Sequence, residues 1–285
     1  MNKLLRYSRL VKFEHTIFAM PFAMIGFFMA IMVTDQVPFW KLLLEIVLSM
    51  VFARNAAMGF NRFLDRKFDA ANPRTAKREI PAGVVSAPKA LIFVIINALF
   101  FGLVTWMINP LCFALSPVAL FVILGYSYTK RITPLCHFVL SLGLSLAPIG
   151  AWLAVTGSFA LAPLLFSGVV FFWVSGFDII YACQDVEFDQ QYRLQSIPVL
   201  VGVKNALEIS AVLHLVSMVF VVFAGITLQS NWIFWLGAAF FAGLLVYQHL
   251  IVKADDLSRV NLAFGTTNGI AGVIFAVLVI GSFYF

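Results

Sequence analysis

The sequence predicts an all-α integral membrane protein with nine transmembrane helices and a cytoplasmic N-terminus. Three observations carry that reading. Of 285 residues, 62% are hydrophobic and only 11% charged, whereas an ordinary soluble domain is about 45–50% apolar and about 25% charged. Apolar runs of the length a hydrocarbon core demands, about 20 residues per helix, recur nine times along the chain. Lysine and arginine fall almost entirely on one side of the membrane those runs define.

The spans lie near residues 16–34, 40–60, 88–108, 111–128, 135–155, 163–186, 204–227, 232–250 and 265–284. Turn-forming pairs and triplets separate them: Asn109-Pro110, Thr133-Pro134, Thr156-Gly157-Ser158 and Gln229-Ser230-Asn231. Lys3, Arg6, Arg9 and Lys12 precede the first apolar run and imitate a signal peptide. That run is long for a signal core, and Asp35-Gln36-Val37-Pro38 is no small-residue cleavage site, so it reads as a retained first helix. With the N-terminus inside, 17 of the 19 Lys and Arg lie on inner segments, and the outer loops after spans three, five and seven carry no charge. The net charge of +6 therefore reflects membrane orientation and gives no reason to expect nucleic acid as a partner. Cys112, Cys136 and Cys183 stand singly in apolar runs, as small buried hydrophobes do, without disulfide or zinc spacing.

Two inner loops, near 61–87 and 187–203, are longer than the rest, and each follows a helix that ends in acidic residues. The two helices sit four spans apart, which suggests duplication of a four-helix unit. Asn61, Asp65 and Asp69 recur every fourth residue, which places them within about 80° on one helical face. Arg54 shares that face one level deeper. Asp178, Asp185 and Asp189 share a stripe about 40° wide on the sixth span. Both clusters lie at helix C-termini, where the macrodipole disfavours carboxylates, and an ionised Asp178 within the apolar slab is costly and characteristic of function. Carboxylates on two elements suit Mg²⁺, which binds through one or two carboxylates together with substrate phosphates. Arg62, Arg66, Lys67, Lys130, Arg131 and Arg193 are the cations available to the same phosphates. The plainer reading of any single Asp is a solvated helix-end charge, and of Arg54 a side chain snorkelling to the interface; six polar residues in two matched stripes favour the functional one.

Four motifs follow in order: Asn61-x3-Asp65-x3-Asp69, Arg74-Thr75-x2-Arg78-x2-Pro81-x-Gly83, Tyr126-x3-Lys130-Arg131 and Asp178-x2-Tyr181-x3-Asp185-x3-Asp189. Together they resemble the UbiA-type intramembrane aromatic prenyltransferases, and among them the 4-hydroxybenzoate polyprenyltransferases. The resemblance implies one domain across residues 1–285, its nine helices arranged around a central cavity capped by the two long cytoplasmic loops. It implies that Asn61, Asp65, Asp69, Asp185 and Asp189 hold Mg²⁺ and a polyprenyl diphosphate, that Lys130 and Arg131 touch the diphosphate, and that Arg54 and Tyr126, with Tyr181, line a pocket for an aromatic acid. Asp178 matches an aspartate near the reacting centre. The pattern departs from the ubiquinone-pathway members at Phe188, where they usually carry a carboxylate. The implied activity is transfer of a polyprenyl group to a ring carbon of an aromatic acid in quinone biosynthesis, in the bacterial inner membrane with the site facing the cytoplasm.

The alternatives are a naphthoate acceptor of the menaquinone pathway and, outside enzymes, a transporter with intramembrane carboxylates; the latter would place its charges near the bilayer midplane. The Asp-Gly-x2-Ala-Arg opening of the CDP-alcohol phosphotransferases is absent. His137, His214 and His249 have no partner at helical spacing and read as packing or interface residues, and His15 as an interface anchor. Asn261, Thr266, Thr267 and Asn268 open the last span, where interhelical hydrogen bonds are expected.

Overall fold

The computed structural model of the chain describes residue 10 and residues 18–285. The basic N-terminal residues, His15 and the start of the first expected span lie outside the described residues. The long helices are α1 (Met20–Ile31), α2 (Phe39–Leu64), α4 (Ala87–Ile108), α5 (Pro110–Thr129), α6 (Cys136–Thr156), α7 (Leu161–Ala182), α10 (Val203–Thr227), α11 (Trp232–Ile251) and α12 (Asn268–Ser282). Three short ones, α3 (Arg66–Ala71), α8 (Val186–Gln191) and α9 (Ile197–Val201), interrupt the loops. Among the described residues, eight helices are long and apolar enough to cross a membrane, with α7 counted through to Gln191 and α12 from Leu262. The ninth, α1, has 12 residues in the described part. With an apolar surface of this extent the protein is an integral membrane protein.

Consecutive helices mostly pack as neighbours: α2 on α4, α5 on α6, α6 on α7, and α11 on α12, while α10 returns to α7 and α1 lies between α6 and α12. Lipid offers no hydrophobic penalty to drive such contacts, so close fit and internal hydrogen bonds carry them. The fit is tightest where α1 crosses α6: a Cβ at Gly26 would overlap the Pro148 carbonyl, so only glycine permits this approach. α7 forms the middle of the bundle. Its Phe166, Val169, Val170, Trp173 and Val174 are fully buried, and Trp173 meets Phe22 of α1 and Phe241 of α11 edge-on or tilted.

The helix ends follow local rules. Asn109 caps α5 by accepting from the Cys112 amide at 2.8 Å, Pro110 occupies the first turn, where its missing N–H costs nothing, and Gly157 ends α6 in the left-handed conformation (φ 64°). The two acidic helices end alike. α2 breaks at Asp65 and resumes as the six-residue α3, whereas α7 passes through a 3₁₀ turn at Cys183–Asp185 into the six-residue α8.

A candidate active site of crossed ion pairs

The ends of α2 and α7, with α3, α8 and two loops, enclose a cavity of about 230 Å³. Asn61, Asp65, Asp69, Asp178, Asp185 and Asp189 all line it, as do Tyr126, Lys130, Arg131 and Tyr181. The stripes therefore converge: helical periodicity put each set on one face, and packing turned the two faces toward each other.

Every one of the five carboxylates has a basic partner. Arg131 donates to Asp65 Oδ1 at 2.7 Å, and Lys130 Nζ lies 2.8 Å from Asp189. Both bases sit just past the end of α5. Arg78 donates to Asp69 Oδ1 at 2.6 Å, and Arg74 grips both oxygens of Asp185 while its third nitrogen donates to the Tyr181 hydroxyl at 2.6 Å. Both of these arginines come from the loop between α3 and α4. Each loop thus sends one cation to each acidic cluster. Asp178 pairs with His137 Nδ1 at 2.7 Å. Asn61 donates to Asp65 at 2.8 Å and Asn72 to Asp185 at 3.4 Å.

Burial sharpens these pairs. It pushes the Asp65 carboxyl above the usual carboxylate range, even against the Arg131 guanidinium. It also pulls on the Lys130 ammonium, yet the Asp189 carboxylate outweighs it and holds that lysine above its ordinary value. Such groups are kept charged by one another, and a polyanion entering the cavity offers the bases an alternative partner.

A profile of the UbiA prenyltransferase family matches residues 19–280. The chain belongs to that family. It is a membrane prenyltransferase similar to the 4-hydroxybenzoate octaprenyltransferases of Aliivibrio salmonicida (32% identical over 245 residues, 86% of this chain and 85% of that protein) and Photobacterium profundum (29% over 276 residues, 96% of each). The apo structure of a UbiA homolog from Aeropyrum pernix superposes with a TM-score of 0.84 at 29% identity, covering 94% of this chain and 98% of that one. A UbiA homolog from Archaeoglobus fulgidus, solved with GPP and Mg²⁺, shares the fold at a TM-score of 0.72 and 20% identity, over 98% of this chain and 100% of that one.

As a UbiA prenyltransferase, the chain distributes the remaining expected residues unevenly. Arg62 is buried and reaches Asp69 at 4.0 Å from behind, so it braces that carboxylate without lining the cavity. Arg66 turns back onto its own helix end, donating to the Phe63 carbonyl at 2.6 Å and lying over the Phe63 ring. Lys67 and Arg193 are exposed. The structure does not bring these three to the cavity. Arg54 lies on α2 in electrostatic range of Tyr126 and Arg62, and Tyr126 itself reaches the cavity wall.

Three partners of the cavity carboxylates are not assigned to them by the sequence. Arg74 and Arg78 stood in a motif read from the chain, but a loop has no periodicity to say which acids they meet. His137, read as a packing or interface residue, is a partner of Asp178 across 41 positions; nothing local signals that. His214 and His249 also pair, at 2.9 Å, away from the cavity.

The donor set fits a hard divalent cation. Among the described residues, Asp189 Oδ1 is a buried oxygen that accepts no hydrogen bond, and Asp69 Oδ2 accepts none either and has Arg62 at 4.0 Å; such a state is costly for a carboxylate unless a cation uses it. Also among the described residues, no three acidic, His or Cys side chains converge as a complete ligand set. Binding shared between one or two carboxylates and substrate phosphates is the mode that suits Mg²⁺.

Proposed function

We propose that this prenyltransferase moves a polyprenyl group from a polyprenyl diphosphate to a ring carbon of an aromatic acid, with 4-hydroxybenzoate as its acceptor. The observation that carries the proposal is the crossed pairing of Asp65, Asp69, Asp185 and Asp189 with Arg131, Arg78, Arg74 and Lys130 around one cavity. Four bases placed to pair with four acids can exchange those acids for a diphosphate. The names of the relatives supply the acceptor, and the lysine and arginine distribution argues for a cytoplasmic N-terminus and for a cavity at the cytoplasmic face of the inner membrane.

In the proposed reaction the carbon–oxygen bond of the allylic diphosphate breaks, and its electron pair leaves with the diphosphate. Lys130, Arg131, Arg74 and Arg78 receive that developing negative charge at fixed positions, which is worth more in a water-poor site than in bulk solvent. Asn61, Asp65, Asp69, Asp185 and Asp189 would hold Mg²⁺, which supplies further neutralisation of the leaving group. The apolar helices keep water from the allylic cation. A ring carbon ortho to the phenolic oxygen attacks it, and the ring proton leaves to a base. Arg54 matches the acceptor carboxylate with its bidentate fork, and Tyr126 and Tyr181 flank the ring.

The test is Mg²⁺-dependent incorporation of labelled polyprenyl diphosphate by purified protein, offered 4-hydroxybenzoate and a hydroxynaphthoate in turn. Product with the benzoate supports the proposal. Product with the naphthoate alone replaces the acceptor, and no product with either, from folded protein, removes the aromatic reading.

A further inference from the structure

His137 is 2% exposed at the start of α6, wedged among α6, the last turn of α7 and the first turn of α9. Its two ring nitrogens have different partners. Nδ1 lies 2.7 Å from Asp178 Oδ2, and Nε2 lies 3.3 Å from the backbone amide nitrogen of Ile197. A backbone N–H can only donate. In that contact Nε2 presents its lone pair, which leaves Nδ1 to carry the ring proton. That proton can only be donated to Asp178. The carboxylate accepts it, and its own proton-bound form would have to give this bond up or turn its hydroxyl aside.

The consequence reaches the chemistry. Asp178 lines the cavity, as do Tyr181 one turn further along α7 and His137 itself. Among the described residues, each of the other four carboxylates of the cavity faces a lysine or arginine, whose permanent charge makes the carboxylate a poor proton acceptor. Asp178 is paired with an imidazole and with neither a lysine nor an arginine. It is held in a fixed orientation without a permanently charged partner, which is what a base for a carbon-bound proton requires.

We propose that His137 is a positioning residue that holds Asp178 as the base for the ring proton. The inference rests on the aromatic-acceptor reading above. In balance, the carbon–oxygen bond to diphosphate breaks with its electron pair leaving on the diphosphate, and the ring's electron pair then forms the new carbon–carbon bond to the allylic cation. The ring carbon–hydrogen bond then returns its electron pair to the ring, and the proton passes to Asp178. Departing diphosphate takes that proton and resets the carboxylate. The His137 ring keeps its own proton throughout, because Nε2 is occupied by Ile197.

The test uses purified protein with 4-hydroxybenzoate carrying hydrogen or deuterium at both positions ortho to the hydroxyl, and compares wild type with His137→Phe and His137→Asn. Wild-type turnover should be insensitive to deuterium, since bond formation precedes proton loss. His137→Phe should lower kcat by roughly tenfold to a hundredfold, within or below the range of an acid–base group. Its KM for polyprenyl diphosphate should stay unchanged, and a deuterium effect well above unity should emerge as proton loss becomes slow. His137→Asn keeps a donor near Nδ1, and should restore part of kcat and shrink the isotope effect. Equal turnover of the two isotopologues by both variants, at reduced kcat, would overturn the proposal and leave His137 as a structural link between α7 and α9. If His137→Phe fails to fold, His137→Asn decides alone: a kcat below wild type with a deuterium effect supports the proposal, and a kcat below wild type without one, or an unchanged kcat, overturns it. Absence of product from wild type would instead count against the aromatic acceptor.

Discussion

At the end of α2, Asp65 marks the helix break and Asp69 stands fourth in a six-residue helix; at the end of α7, Asp185 and Asp189 hold the same places. The correspondence continues residue by residue. Asn61 and Tyr181 each precede the break by four, and Phe68 and Phe188 each precede the second aspartate by one. The two clusters differ in how they are held. Asp69 has two arginines, Arg78 at 2.6 Å and Arg62 at 4.0 Å, whereas Asp185 has the fork of Arg74, which also binds Tyr181, and the neutral Asn72 amide. Asp178 has no counterpart in the first cluster, where Met58 stands at the equivalent position. The two helix ends thus carry near-symmetric acidic clusters, and under the proposed function these form a diphosphate clamp with the acceptor on one side only. A substrate with two phosphates at one end and a reacting carbon at the other asks for that asymmetry.

The comparison breaks most severely at the carboxylates themselves. Asp65→Ala and Asp185→Ala should each lower kcat by roughly 10³-fold or more, the scale of losing an electrostatic element aimed at the transition state, as read by turnover of labelled polyprenyl diphosphate. If one variant stayed active, the clamp would be one-sided. The bases should then separate the halves. Arg74→Ala removes the guanidinium that grips both oxygens of Asp185 and the partner of Tyr181, and should cost roughly a hundredfold in kcat/KM for the diphosphate. Arg78→Ala leaves Arg62 beside Asp69, so roughly tenfold is expected, on the scale of one hydrogen bond to a charged group. Equal losses would mean that Arg62 does not substitute. Tyr181→Phe deletes only the hydroxyl that Arg74 binds and should fall at or below the Arg78→Ala value in the same assay, since a single hydrogen bond to a charged group is lost in each.

Helical periodicity made the acidic stripes legible, because a face repeated every fourth residue needs no knowledge of tertiary packing. The spans were legible for a related reason: lipid permits few ways to satisfy a backbone. What periodicity cannot supply is partnership. Arg74 and Arg78 lie in a loop 111 and 9 residues from the acids they bind, and the crossing of their pairs follows from how α3 and α8 face each other. His137 and Asp178 meet only because α6 packs on α7. Arg66, Lys67 and Arg193 had the right charge and nearby positions, yet the helix turn aims Arg66 at Phe63 and leaves Lys67 and Arg193 in solvent. Charge near a site in sequence does not fix direction.

The same comparison explains the residue at which the chain departs from its family pattern. Phe188 stacks on Tyr192 with ring centroids 4.4 Å apart, and Phe68, its counterpart, meets the same tyrosine edge-on at 6.1 Å. The two short helices are therefore pinned to each other through one ring. A carboxylate at position 188 would give up that stack, and Glu187 beside it is exposed, so the departure exchanges charge for packing. Phe68 has a second contact, the Arg131 guanidinium 5.1 Å above its face, and Arg131 holds Asp65. The two phenylalanines should then fail differently. Phe188→Leu should lower stability by about 1 kcal/mol, the worth of an aromatic pair beyond its buried area, read as a drop in Tm in detergent. Phe68→Leu loses a weaker ring contact together with a cation–π contact worth about 0.5–1 kcal/mol. Its larger signature should be a severalfold rise in KM for the diphosphate, as Arg131 loosens. If Phe188→Leu raised that KM equally and left Tm unchanged, position 188 would act on substrate directly, and the packing account of the departure would be wrong.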